Sequence, residues 1–412
     1  MPRVCVPEET FEPAMQPKNQ TFHVVGITDA QEPELPKAVL RLMEGCRVFS
    51  GGKRHHRIVE ALLPADSLWI DITVPLDEVF KQYEPHAEVL VFASGDPLFY
   101  GFANTIMSRL PQAKVNVFPA FNSLQLLAHR LSMPYHEMHI ISLTGRPWKA
   151  LDAALIEGRS LIGSLTDREK TPAAVAQRLL DYGYTNYRIS VGECLGNEQE
   201  CVGEYSLEEA AGMCFAFPNC LLLKRTEVRP TYFGIPEDRF ALLNGRAKMI
   251  TKMPIRLLSL SLLDLPGKKV LWDVGFCTGS VSIEAKLQFP HLEVVAFEIR
   301  PEGEQLMKEN AARFGTPGIQ ALIGDFLTAD LDTLPTPDAV FIGGHGGKLH
   351  EVMGRILPLL SMGGVVVMNA VSAESKAAFE DASSVYGLEL QTPIRLTVDD
   401  HNPIDLLKAV KR

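Results

Sequence analysis

The stretch Leu271–Lys286, LWDVGFCTGSVSIEAK, sets Gly275 and Gly279 between a short apolar run through Asp273 and a helix-like segment opening at Ser280. Glycines at such a turn let the backbone approach a ligand closely. The first turn of the helix offers unpaired N–H groups to a carboxylate or phosphate. The next apolar run ends at Glu298, 25 residues beyond Asp273, where a carboxylate can accept hydrogen bonds from both hydroxyls of a ribose. Gly324-Asp325-Phe326 closes a third apolar run and brings a further carboxylate within reach of an adenine amino group.

Taken alone, this pattern fits a dinucleotide or S-adenosylmethionine. The loop is not Gly-x-Gly-x-x-Gly, and Cys277 stands at its middle, which tilts against a pyrophosphate and toward a nucleoside ending in a carboxylate. An αβ turn that needs glycine only for its geometry is the competing reading.

Three polar turns carry the chemistry of the first half: Ser94-Gly95-Asp96-Pro97-Leu98-Phe99-Tyr100-Gly101, Pro119-Ala120-Phe121-Asn122-Ser123, and Ser142-Leu143-Thr144-Gly145-Arg146. Each follows a strand-like run, so each falls where open α/β sheets place ligands. Singly, each is an ordinary turn. Lys53-Arg54-His55-His56-Arg57 is a basic cluster in an acidic chain, suited to pairing with ligand carboxylates, or equally a solvated face. Adjacent His55 and His56 point apart on most backbones, so no shared metal site is expected there.

The elements that must position these residues alternate strand and helix, the pattern of an α/β protein. Strands are expected at Phe22–Ile27, Glu88–Ala93 and Val115–Phe118, with helices at Pro36–Met43, Phe102–Leu110 and Asn122–Leu131. After a break at residues 229–248, rich in Pro, Gly and scattered charge, the rhythm resumes with strands at 269–273, 293–298, 338–342 and 364–369 and a helix at 280–287. The expected organisation is a tail over 1–20, a first domain over 21–228, a linker over 229–248 and a second domain over 249–412.

The 412 residues carry 40 Lys and Arg against 50 Asp and Glu, a net charge of −10 that disfavours nucleic-acid binding. Seven cysteines include no Cys-x-x-Cys pair and no accompanying His spacing, so no metal is expected and the thiols read as reduced. No apolar stretch reaches the ~18 residues of a membrane span, and the N-terminus has no signal-like core. The expected location is the cytoplasm.

The second half resembles a specific family. Thr278-Gly279-Ser280-Val281-Ser282-Ile283-Glu284, Phe341-Ile342-Gly343-Gly344-His345-Gly346-Gly347, Asn369-Ala370-Val371, and Ile250-Thr251-Lys252 with Arg256 are similar to the precorrin-6B C15-methyltransferases (decarboxylating). The chain departs from them at Pro254, where they carry Glu, and at Cys277, where they carry Gly. The resemblance implies a class I, Rossmann-like methyltransferase core binding S-adenosylmethionine, with S-adenosylhomocysteine as product. Gly275, Thr278 and Gly279 would line the methionine portion, Glu298 the ribose, and Asp325 and Phe326 the adenine. Thr251 would close over the cofactor, and His345 and Asn369 would contact substrate.

The first half resembles the tetrapyrrole methylases, a two-lobed (class III) α/β fold, and most closely their precorrin C5-methyltransferase members. Gly51-Gly52-Lys53-Arg54-His55, the Gly95–Gly101 run, Thr166-Asp167 with Thr171-Pro172, and Glu193-Cys194-Leu195-Gly196 match in order. By this resemblance Gly95, Asp96, Pro97, Asn122 and Ser123 would touch cofactor, and Arg54 and Arg146 substrate carboxylates. One departure stands out: the family's Gly-x-Gly-Pro-Gly loop reads Gly26-Ile27-Thr28-Asp29-Ala30 here. Together the halves resemble the fused precorrin-6Y C5,15-methyltransferases (decarboxylating). That implies methylation of an anionic precorrin at C5 and C15, loss of the C12 acetate carboxyl, a role in cobalamin biosynthesis, and a homo-oligomer. The altered loop motivates an alternative, in which only the second half is catalytic and the first binds the tetrapyrrole.

Overall fold

The computed structural model describes residues 20–30, 32–246, 249–399 and 402–412, so the expected tail lies outside the described residues except for Gln20. Its contacts divide into two compact units. One holds the described residues up to His136 with Val191–Gly203 and Phe215–Leu221; the other holds Glu137–Ser190, Glu204–Cys214 and Leu222–Arg412.

The first unit is built on a parallel sheet of β1 (Thr21–Ile27), β2 (Val48–Gly51), β3 (Leu68–Asp71), β4 (Glu88–Ser94) and β5 (Lys114–Phe118), in the order β3-β2-β4-β1-β5. The central strands β1 and β4 are buried on both faces, as the near-continuous apolar runs FHVVGI and VLVFA require. Their carboxyl ends meet at glycine. A Cβ on Gly26 would stand 1.8 Å from Gly95 O and 2.7 Å from Ala120 N, so no other residue fits there.

A second five-stranded sheet comprises β6 (His139–Ser142), β7 (Leu161–Leu165), β8 (Tyr187–Glu193), β9 (Cys201–Tyr205) and β10 (Asn219–Arg225), in the order β6-β7-β10-β8-β9. Two sheets within the first half agree with the two-lobed expectation.

The third sheet contains β11 (Val270–Val274), β12 (Glu293–Glu298), β13 (Ile319–Ile323), β14 (Ala339–Ile342), β15 (Val365–Ala370), β16 (Glu389–Leu390), β17 (Ile394–Leu396) and β18 (Ile404–Val410). Its order is β13-β12-β11-β14-β15-β18-β16, with β17 also on β18. The strands from β11 to β15 pair in parallel, and β18 runs antiparallel to β15. The order reverses between β11 and β14, and the crevice at that switch point is where such sheets take ligands.

Trp272 on β11 is fully buried against Phe297 and Phe326. The helix Ser280–Gln288 has no solvent face: every residue from Ser280 to Lys286 is buried. The stretch 229–248 has only short 3₁₀ turns among its described residues. Ile235 and Phe240 pack on Phe276, Ile283, Met307 and Phe314, so it forms a strap against the second half's core.

Candidate functional site

At the β11/β14 switch the structure opens a cavity of about 800 Å³, all within the second unit. Thr251, Gly275, Thr278, Glu298, Asp325, Phe326, His345 and Asn369, gathered from separate stretches of the chain, all line it. Gly279 does not: it caps the helix Ser280–Gln288 at φ +75°, and a Cβ there would meet Met307 at 2.7 Å.

Each wall has a local cause. Gly275 turns the chain out of β11 at φ +81°, where a Cβ would stand 2.7 Å from the backbone nitrogen of Gly344. The loop after β11 is thus pressed onto the loop after β14, which only glycine permits. Cys277 lies at φ +52°, the left-handed region, in the position where the resembling family carries Gly. Its N–H donates to Glu298 Oε2 at 2.8 Å, while Oε1 accepts from the N–H of Arg300 at 3.0 Å and from Arg300 Nη1 at 3.2 Å. Those bonds fix Glu298 at the end of β12, buried to 3% exposure, with acceptor capacity left on Oε2. Asp325 Oδ1 accepts from Leu327 N–H, and Phe326 packs edge-on against Phe297.

Two buried polar atoms on the cavity wall, Thr278 Oγ1 and Asp273 Oδ1, have no partner among the described residues. Leaving such a group unpaired costs about 1–3 kcal/mol, so a polar ligand is the natural complement. Burial pushes the Asp273 carboxyl up to about 7 against the opposing bonds from Ser282. His345 Nδ1 is a third unpartnered buried atom, and burial pulls this imidazole below its ordinary range, leaving it neutral at pH 7. Asn369 Oδ1 accepts from Ser259 Oγ at 3.1 Å.

Sequence reasoning missed what holds the cavity's lip. Arg256 and Glu284 form a fully buried ion pair, and Arg256 Nη1 donates to Thr251 O at 2.7 Å. The sequence carried no signal for it: Glu284 reads as part of a solvated helix face, and only its burial requires a partner.

In the first unit, Gly95 turns at φ +59°, and a Cβ there would stand 2.9 Å from Asn122 Cα. The turns after β4 and β5 are therefore in contact, and Gly95, Asp96, Pro97, Asn122 and Ser123 share the carboxyl end of the sheet. Asp96 Oδ1 accepts from Leu98 N–H, and Asn122 caps the following helix by a reciprocal pair of bonds with Gln125. Their polar atoms thus already shape the turns. Arg54 is held by Asp29 at 3.2 Å, while His55 turns to Ser94 and His56 stacks on Trp69. Arg146, in the second unit, donates to Ser142 Oγ and Thr144 O beside Asp167 and Lys170. Among the described residues no cluster of His, Cys, Asp and Glu could hold a metal, and no helix is long and apolar enough to cross a membrane.

A model of the tetrapyrrole (corrin/porphyrin) methylases matches residues 21–211, and one described as a precorrin methyltransferase domain matches residues 244–411. A precorrin-6Y C(5,15)-methyltransferase (decarboxylating) from a Sinorhizobium species is 30% identical over 385 residues, covering 92% of this chain and 91% of that protein. The protein of that name from Mycobacterium tuberculosis is 29% identical, covering 89% and 90%. The cobalt-precorrin-6B C(15)-methyltransferase (decarboxylating) of Salmonella typhimurium is 41% identical over 133 residues, covering 32% of this chain and 68% of that protein.

Proposed function

Because the chain belongs to the precorrin-6Y C5,15-methyltransferases (decarboxylating), as its relationship to the Sinorhizobium protein along nearly its full length establishes, we propose that it methylates a precorrin-6-type macrocycle at C5 and C15. It also removes the carboxyl group of the C12 acetate, and S-adenosylmethionine is the methyl donor. The carrying observation is the cavity at the β11/β14 switch, whose wall combines the Glu298 carboxylate with the unpartnered Thr278 Oγ1 and Asp273 Oδ1. A nucleoside bearing an amino-acid tail complements that set. Relatives that span both halves favour two active domains over a first half that only binds.

S-adenosylmethionine supplies a methyl group on a sulfonium, a leaving group already formed. The chain therefore needs no nucleophile of its own, and its work is alignment and exclusion of water. In this reading Glu298 accepts from the ribose hydroxyls, Asp325 and Phe326 border the adenine, and Thr278 and Asp273 receive the amino-acid end. Gly275 keeps the floor thin enough for close approach. Gly343 and Gly344 line the same cavity, and His345, neutral at pH 7, and Asn369 face the macrocycle. In the decarboxylation the bond between the acetate methylene and its carboxyl breaks, CO2 leaves, the electron pair enters the conjugated ring, and a proton taken up at the methylene completes the methyl group. The chain's part is to orient that acetate.

A mass spectrum of the product tests the proposal, using purified protein, S-adenosylmethionine and a precorrin-6 substrate with and without cobalt. Gain of two methyl groups with loss of one CO2 is expected. One methyl with CO2 loss would confine catalysis to the second half, and no mass change would overturn the reading.

A further inference from the structure

Arg54 is a cation at the carboxyl end of the first sheet, and it is occupied by a residue of its own chain. Its Nη1 lies 3.2 Å from Asp29 Oδ1, and its Nη2 donates to Ser94 Oγ at 2.6 Å. Asp29 follows β1, Arg54 follows β2 and Ser94 ends β4, so three neighbouring strand ends converge on one point. Asp29 is mostly shielded, at 12% side-chain exposure, whereas Arg54 is 41% exposed. The pair therefore presents its cationic side outward.

The surrounding bonds show which hydrogens remain to give. The N–H of Gly52 donates to His55 Nδ1 at 3.3 Å, so the ring proton sits on Nε2, which donates to Ser94 Oγ at 2.9 Å. Burial, aided by the Arg54 charge, draws His55 down to about 4, so the ring stays neutral and keeps this arrangement. Ser94 Oγ thus receives two donors, from Arg54 and His55, and its own hydrogen points elsewhere. An incoming carboxylate would find an Arg54 N–H and the Ser94 O–H side by side. Asp29 has an alternative partner, because Asn197 Nδ2 donates to its Oδ2 at 3.1 Å. It can release Arg54 without being left unbonded.

The loops at the same end of the sheet expose Leu98, Tyr100 and Phe121, each about half accessible. Exposed apolar side chains at the same sheet end as a cation suit a flat apolar ring edged with carboxylates.

We propose that Asp29 is a resident stand-in for a ligand carboxylate: a side-chain carboxylate of the tetrapyrrole displaces it from Arg54 and is held by Arg54 and Ser94, while Asp29 falls back on Asn197. The proposal deepens the functional reading above and rests on it. Its consequence is selectivity. A ring without a carboxylate at that edge does not repay the broken Asp29–Arg54 pair, so the pair rejects uncharged macrocycles.

The test uses the full-length chain, uroporphyrin as a stable octacarboxylate probe, its octamethyl ester as the uncharged control, and porphyrin fluorescence as the readout. Asp29→Asn keeps the Asn197 contact and removes the competing charge, and it should tighten uroporphyrin binding by about fivefold. Arg54→Gln should weaken it by a similar factor, and the double variant should match Arg54→Gln. Binding of the ester should tighten in Asp29→Asn no more than in Arg54→Gln. Should Asp29→Asn fail to fold, judged by its melting curve, Asp29→Ser replaces it. Unchanged or weaker uroporphyrin binding in the Asp29 variant, or indifference to Arg54→Gln, overturns the exchange. Calorimetric titration of S-adenosylhomocysteine into the same preparations reads the methyltransferase assignment separately. Binding of that nucleoside without an Arg54-dependent porphyrin response refutes the exchange alone, whereas absence of nucleoside binding refutes the functional reading.

Discussion

Arg256 Nε stands 2.6 Å from Glu284 Oε2, and solvent reaches neither side chain. The remaining valences are filled: Glu284 Oε1 accepts from the N–H groups of Gly234 and Ile235, and Arg256 donates to the carbonyls of Thr251 and Ile235. One ion pair thus ties the strap around Gly234 and Ile235, the Thr251 segment and the helix Ser280–Gln288 together. Glu284→Ala leaves a buried guanidinium uncompensated and should cost about 3–5 kcal/mol. Replacing both, Arg256→Met with Glu284→Leu, removes the stranded charge and should cost less than Glu284→Ala alone. Urea unfolding of the parent and the two variants checks this ordering, and a double variant worse than the single would contradict it.

Thr278 Oγ1 is buried without a partner among the described residues. If it serves only packing, Thr278→Val relieves an unpaired hydroxyl and changes little else. If it receives the ligand, the same variant keeps or raises its melting temperature yet binds S-adenosylhomocysteine about tenfold more weakly. We expect the second pattern, read by calorimetry beside a thermal melt. Equal affinity for the two proteins would remove Thr278 from the site.

Backbone conformation separates two neighbours on the same loop. A Cβ at Gly275 would stand 2.7 Å from Gly344 N, so Gly275→Ala should part the two loops and abolish nucleoside binding. Cys277 already carries a Cβ at φ +52°. Cys277→Gly should therefore be neutral or stabilise by up to about 1 kcal/mol, and Cys277→Val should destabilise, because β-branched residues tolerate the left-handed region worst. Chemical denaturation of the three variants gives the order directly.

How far these features could be read from sequence depended on whether their cause was local. The run LWDV announces β11 because a strand buried on both faces must be apolar throughout, and the turn at Gly275 and the acid at Glu298 follow from its ends. The Asp29–Arg54 and Arg256–Glu284 pairs join residues 25 or more apart, and nothing in either segment names its partner. Glu284 and Lys286 look like a solvated helix face, yet both are buried; Lys286 donates to the carbonyls of Pro290 and Leu292. The strand Ile404–Val410 went unread because its Asp405 and Lys408 break the apolar pattern. Their charges are met by Arg395 and Asp264, which lie outside that strand.

Asp273 ends fully buried on β11, with Ser282 N–H and Oγ–H donating to Oδ2 at 3.2 and 2.6 Å and Oδ1 unpartnered. Burial, reinforced by the nearby Glu298 charge and opposed by the Ser282 bonds, pushes its carboxyl up to about 7. An unfolded aspartate titrates near ~3.9, so between the two values the folded protein holds a proton that the unfolded chain has released. The site's contribution to stability is therefore full below about pH 4 and is lost as pH rises through about 7. Asp273→Asn cannot lose that proton. Its stability relative to the parent should climb from pH 4.5 to about 7, by roughly 1.4 kcal/mol for each tenfold by which folding strengthens the carboxyl's hold on its proton, and level off above. A ligand ammonium placed against Oδ1 favours the ionised carboxylate. The affinity for S-adenosylhomocysteine should therefore rise with pH over the same interval in the parent and stay flat in Asp273→Asn. Urea unfolding and calorimetry at matched pH values measure the two slopes, and a stability difference independent of pH would mean that Asp273 is ionised throughout.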